Sequence, residues 1–138
     1  MDRYEEEIDK YAPKIVCLDY FQALKWKDSS NLGEKEEAVR RLKKITKDKN
    51  IVTICLSQLN RGSQANGGKA SQAELKGTAA LEEYADAIGQ MYTGEGLGYP
   101  VPIDLIITKS KYSATGPIAL KFKKTTADFI EDESNDRV

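Results

Sequence analysis

Two apolar runs of strand-forming residues, Lys14-Ile15-Val16-Cys17-Leu18-Asp19-Tyr20-Phe21 and Ile51-Val52-Thr53-Ile54-Cys55-Leu56-Ser57, flank a single amphipathic helical pattern. In the stretch between them Ala38, Val39, Leu42 and Ile45 recur at helical spacing and form one apolar stripe. Asn31 with Glu34 three residues on resembles a capping box. Glu34, Glu36 and Glu37 crowd the first turns and Lys43, Lys44 and Lys47 the last, which suits the helix dipole, and Asn50 closes the pattern. Strand, helix and strand with short connections make a βαβ unit, which implies parallel pairing and a right-handed crossover. Continuous apolar runs suit strands buried on both faces. In such sheets ligands bind beyond the carboxyl ends of the strands. Asp19 and Ser57-Gln58 are therefore expected side by side on one edge.

The rest of the chain reads as further α/β structure. Tyr4, Ile8 and Tyr11 predict a helix over residues 2 to 11, with Asp2 as N-cap and Ala12-Pro13 as its end. Residues 60 to 76 are rich in Gly, Ser, Gln and Lys without an apolar period, and loops this long in a compact domain are usually functional. A short helix is expected around Ala79 to Tyr84 and a strand over 87 to 92. Two strands, Ile103 to Thr108 and Ile118 to Phe122, are joined through a turn, and Phe129-Ile130 adds a last short strand.

A chain of 138 residues is enough for one domain. No apolar stretch approaches the roughly 20 residues that span a bilayer, and the N-terminus is too acidic for a secretory signal. A cytoplasmic protein with no membrane partner is the expectation. The chain has no His, which removes Ser-His and Cys-His machinery and leaves carboxylates, amides, lysines or a metal for any chemistry. Cys17 and Cys55 lie in the apolar runs without a CxxC pair, so both are expected as small buried hydrophobes. The net charge of -1 neither favours nor disfavours nucleic acid. The basic run from Arg40 to Lys49 reads as a solvated helix face, with a nucleic-acid patch as the alternative.

Two residues stand out chemically. A carboxylate at a strand end, as at Asp19, can hold Mg²⁺ through water without burying an unpaired charge; the bland reading is an Asp capping a backbone turn. An amide at a strand mouth, as at Gln58, can orient a water or touch a terminal phosphate; the bland reading is a Gln bonded to nearby loop backbone.

Four segments, in order, carry a resemblance. Ile15-Val16-Cys17-Leu18-Asp19-Tyr20-Phe21-Gln22 looks like the second Walker segment, hydrophobic-Asp-Tyr-Leu-Gln, of DnaB-type replicative helicases. Leu56-Ser57-Gln58-Leu59-Asn60-Arg61 is similar to the Leu-Ser-Gln-Leu-Asn-Arg segment of that family. Leu75 to Asp86 resembles Leu-Arg-Gly-Ser-Gly-Ala-Leu-Glu-Gln-Asp-Ala-Asp, and Lys109-Ser110-Lys111-Tyr112 with Thr115-Gly116 matches Lys-x-Arg-x-Gly-x-Thr-Gly. The second and fourth segments tilt the reading away from recombinase-type RecA-like ATPases.

The resemblance implies a partial RecA-like (P-loop NTPase) fold with a mostly parallel central sheet and a C-terminal β-hairpin. Residues 1–130 would be the C-terminal half of a helicase ATPase domain and 131–138 a polar tail. It further implies that Asp19 holds Mg²⁺ and the attacking water of ATP, and that Gln58 senses the γ-phosphate. Lys109 and Lys111 would reach the ATP of a neighbouring subunit. Arg61, Lys69 and Lys76 would face single-stranded DNA in the channel of a homo-oligomeric ring, a hexamer in the family, where cations contact phosphates without reading sequence.

The chain departs from the pattern at Lys111, where the family has an arginine, so the planar bidentate fork is lost. It departs again at Ala79, usually Gly. No Gly-x-x-x-x-Gly-Lys-Ser/Thr occurs, so the phosphate cradle is missing and the chain alone is expected to hydrolyse ATP negligibly; it is either a fragment or one part of a split protein whose P-loop-bearing N-terminal half is a separate chain. The alternative is a degenerate, non-catalytic DNA-binding or ring-associating module.

Overall fold

Tyr4, Ile8 and Tyr11 recur along the helix α1 (Asp2–Tyr11). The structure is a computed structural model that describes residues 2–25, 27, 31–58, 79–93 and 99–132. The chain divides into two units, Met1–Ala85 and Asp86–Val138. In the first, α1 leads through Ala12, at φ 44°, and Pro13 into the strand β1 (Ile15–Leu18).

The helix α2 (Leu32–Asp48) starts as its cap predicts, because Asn31 Oδ1 accepts from the Glu34 backbone N–H at 3.2 Å. The Glu34 carboxylate reaches further back and accepts from Lys27 N at 3.0 Å. Asn50, at φ 50°, ends the helix in the left-handed conformation that Asn tolerates better than most side chains. The chain then enters β2 (Val52–Cys55). Ala38, Val39, Leu42 and Ile45 are all buried. Ile8, Ile45 and Ile51 form one cluster, with Tyr4 and Val16 packed against it.

Polar ties join these elements. Thr53 Oγ1 shares hydrogen bonds with Thr46 Oγ1 (2.7 Å) and the Tyr4 hydroxyl (3.4 Å), while the Thr46 hydroxyl donates to Leu42 O (2.8 Å). Burial raises the Tyr4 pKa above the ordinary phenol value. The basic run of α2 is met by the unit's own acids: Arg41 pairs with Glu5 at 3.0 Å, Lys49 with Asp9, Arg40 with Glu37 and Lys44 with Asp48 at 3.7 Å. These contacts favour the solvated helix face over a nucleic-acid patch.

β1 and β2 pair in parallel, with Ile15 opposite Val52 and Leu18 opposite Cys55. The expectation of burial on both faces is corrected. Val16, Leu18, Thr53 and Cys55 are partly covered, but Ile15 is 61% exposed, Val52 57% and Ile54 47%, and Cys17 is exposed too. The helical side chains of the cluster pack on Val16, and the alternate residues of a strand point the other way. Cys17 is therefore no core residue. Cys55 is partly covered, and burial raises its thiol pKa. A short helix, α3 (Ala79–Tyr84), packs against α2.

The second unit is an antiparallel meander. It comprises β3 (Ala87–Thr93), β4 (Val101–Ser110), β5 (Gly116–Lys123) and β6 (Asp128–Glu131), hydrogen-bonded in that order. The C-terminal hairpin is β4–β5, and the meander extends it on both sides. Parallel pairing among the described strands is confined to β1 and β2. Connections of a few residues return a chain antiparallel, whereas the 17-residue helix α2 provides a parallel crossover. Phe122 and Phe129 stack at 4.6 Å between ring centroids, and Lys121 pairs with Asp132 at 2.5 Å. β6 ends at Glu131, and residues 133–138, most of the stretch expected as a tail, lie outside the described ones.

Candidate functional site

The carboxyl edge of the parallel pair is where the chain gathers its polar groups. The ladder runs past the strands proper: Leu56 N donates to Leu18 O at 3.0 Å and Phe21 N to Leu56 O at 2.8 Å. Asp19 and Tyr20 therefore lie across from Leu56, and Ser57 and Gln58 follow on the same rim. Phe21, only 1% exposed, anchors the turn that leaves β1. A fully buried aromatic there fixes where the two preceding residues emerge.

Gln22 ties the two strand ends together. Its Nε2 donates to Ser57 Oγ at 2.9 Å and to the Gln58 carbonyl at 3.2 Å, while its Oε1 accepts from Gln58 N at 3.2 Å. The amide thus matches a backbone donor and a backbone acceptor, as a neighbouring strand does. Asp19, Gln22 and Gln58 are exposed, and Tyr20 is 42% exposed. Tyr20, Leu56, Ser57 and Gln58 line a depression of about 360 Å³. The rim offers a carboxylate, an amide and an aromatic ring beside an open concavity.

Among the described residues no three carboxylate or Cys side chains converge as a metal cage. A lone carboxylate suits Mg²⁺, which keeps several waters and takes one or two carboxylates plus substrate phosphates. Asp19 is one exposed carboxylate, which is chemically able to supply one ligand to a hydrated Mg²⁺.

Lys109 and Lys111 belong to the second unit. Lys109 lies on β4 opposite Ile88. Lys111 follows the end of β4 and gives its ammonium to Asp86 Oδ1 at 2.7 Å. That hydrogen bond and the Asp86 charge raise the Lys111 pKa. Arg61, Lys69 and Lys76 lie outside the described residues. Sequence reasoning gave no role to Gln22 or Asp86. Both stood inside segments that resemble a family pattern, and that was the available signal.

The family model for the DnaB-like helicase C terminal domain matches residues 3–131. The replicative DNA helicase DnaC of Bacillus subtilis is 24% identical over 127 residues, covering 86% of this chain and 28% of the relative. The replicative DNA helicase DnaB of Leifsonia xyli is 26% identical over 125 residues, covering 86% and 27%. Among solved structures, a DnaB-like replicative helicase described with its primase interactions superposes with TM-score 0.79 at 25% identity, over 95% of this chain and 34% of that one. A second solved structure, described as an ATPase domain, gives 0.78 at 25% identity, over 96% and 50%. The fold is therefore the RecA-like α/β type. The chain spans little more than a quarter of the length of these curated relatives.

Proposed function

This chain belongs to the DnaB-like helicase C-terminal domain family, and from that premise we propose that it forms the metal-holding and phosphate-sensing part of an ATP-driven DNA-unwinding ring. Asp19 would hold a Mg²⁺ that accompanies the nucleotide, and the metal would supply charge neutralisation at the phosphates. Gln58 bonds the terminal phosphate or the attacking water, and its backbone, held by Gln22, passes that state to the loop that follows. Lys109 and Lys111 contact phosphate on an adjoining subunit. Arg61, Lys69 and Lys76 contact the backbone of single-stranded DNA.

The observation that supports this reading most is the parallel pairing of β1 with β2. It brings Asp19 and Gln58 to one rim from positions far apart in sequence. A second reading, a non-catalytic DNA-binding or ring-associating module, draws on Lys111, which stands where the family has an arginine and lacks its planar bidentate fork.

The test is to mix this chain with a P-loop-bearing N-terminal half and measure DNA-stimulated ATP turnover. Turnover above that of either part alone is expected. Asp19→Asn lowers it by about 10²–10³-fold, the usual cost of losing one charge-stabilising group. Arg61→Ala with Lys76→Ala raises the DNA concentration needed for half-stimulation. Oligonucleotide binding without any turnover in the mixture favours the non-catalytic module.

A further inference from the structure

The register at one end of the second sheet brings an acid and a base together. Gly89 pairs with Ile107, but Ile88 pairs with Lys109 and Ala87 with Ser110. The slip leaves Thr108 as an extra residue on β4. Without it, Asp86 falls opposite Ser110 and Lys111 opposite Ala85. With it, Asp86 and Lys111 form the next rung. The rung is closed twice, by Lys111 N to Asp86 O at 2.9 Å and by Lys111 Nζ to Asp86 Oδ1 at 2.7 Å. Bulges commonly re-aim a side chain near a working site.

The chain beyond Lys111 is braced as well. Ser110 Oγ accepts from Ser113 N at 3.0 Å and Tyr112 N at 3.3 Å, and shares a hydrogen bond with Ser113 Oγ at 2.8 Å. Lys111 therefore leaves a fixed backbone, and its long side chain is held at one point by a carboxylate. The pair remains open to solvent, with 49% of the Lys111 and 39% of the Asp86 side chain exposed. Exposed pairs contribute little net stability, so a stronger anion can take the cation away.

We propose that Asp86 is the positioning residue for Lys111, holding its ammonium group where a polyphosphate displaces the carboxylate and takes the cation over. This rests on the reading of Lys111 as a phosphate-directed cation. Asp86 acts as an internal occupant: it keeps the ammonium from pairing elsewhere and competes with an incoming anion by the modest factor that an exposed pair supplies.

The test uses this chain and inorganic tripolyphosphate, followed by NMR at the Lys111 ε-methylene and the amides of residues 109–113. The wild-type protein is expected to show saturable shifts centred on Lys111, with the Asp86 carboxyl carbon shifting in step. Asp86→Asn tightens binding by about two- to five-fold, the range expected when a surface ion pair no longer competes. Asp86→Glu, which keeps the charge, restores weaker binding. Lys111→Met abolishes the local shifts. If Lys111→Met abolishes binding while Asp86→Asn leaves it unchanged or weaker, the role of Asp86 is overturned and the phosphate reading stands. If Lys111→Met binds like the wild type, or no shift appears at Lys111, the phosphate reading fails and this proposal fails with it. If Asp86→Asn does not fold, the wild-type carboxyl signal decides: a resonance unmoved at saturation overturns the exchange.

Discussion

Gln22 is the residue on which the geometry of the rim turns. Its side chain replaces a missing rung between two strand ends, satisfying Gln58 N and Gln58 O together. An exposed set of hydrogen bonds contributes modestly to global stability. Gln22→Ala is therefore expected to cost about 1 kcal/mol in chemical denaturation. Its local effect is larger: the Gln58 amide should exchange with solvent measurably faster while the β2 amides keep their protection. An unchanged Gln58 amide would show that the clamp does not hold the rim. The placement of Asp19 and Gln58 on one edge was legible in the sequence because strand ends in a βαβ unit have a known polarity. Gln22 and Asp86 were not, since each acts on a residue 36 or 25 positions away. Only the register of strands β1 with β2, or of β3 with β4, brings such partners together.

At the scale of elements, the sequence was most informative where a period repeats over several turns. The stripe Ala38, Val39, Leu42 and Ile45 and the Asn31 cap mark α2 because helix spacing and capping are local rules. The number of covered faces on β1 and β2 is not a local property. An apolar run reads alike whether one layer or two pack upon it, so Ile15, Val52 and Ile54 were misjudged as buried. The bulge beside Gly89 was equally hidden, because β4 carries no glycine or proline near Thr108 to mark it. The stability of the first unit rests on the α1–α2–β1 contact, where Ile45 is 3% exposed. Ile45→Ala is expected to lower unfolding free energy by about 2–5 kcal/mol, as truncation in a close-packed site does. A loss below about 1 kcal/mol would show that Ile8, Ile45 and Ile51 are not the principal core.

At the scale of the chain, several charges among the described residues are met by local partners. Arg41 and Lys49 on and after α2 are met by Glu5 and Asp9 of α1, and Lys121 by Asp132. The net charge of -1 therefore carries no functional message. We propose that nucleotide-bound metal docks at the carboxyl edge of β1 and β2. The most direct measurement replaces Mg²⁺ with Mn²⁺ and records paramagnetic broadening on this chain, joined with a P-loop-bearing half and nucleotide. The amides of Asp19, Tyr20 and Gln58 should broaden first, and Asp19→Asn should remove the effect. Broadening centred on other residues, with those three signals left sharp, would contradict the claim.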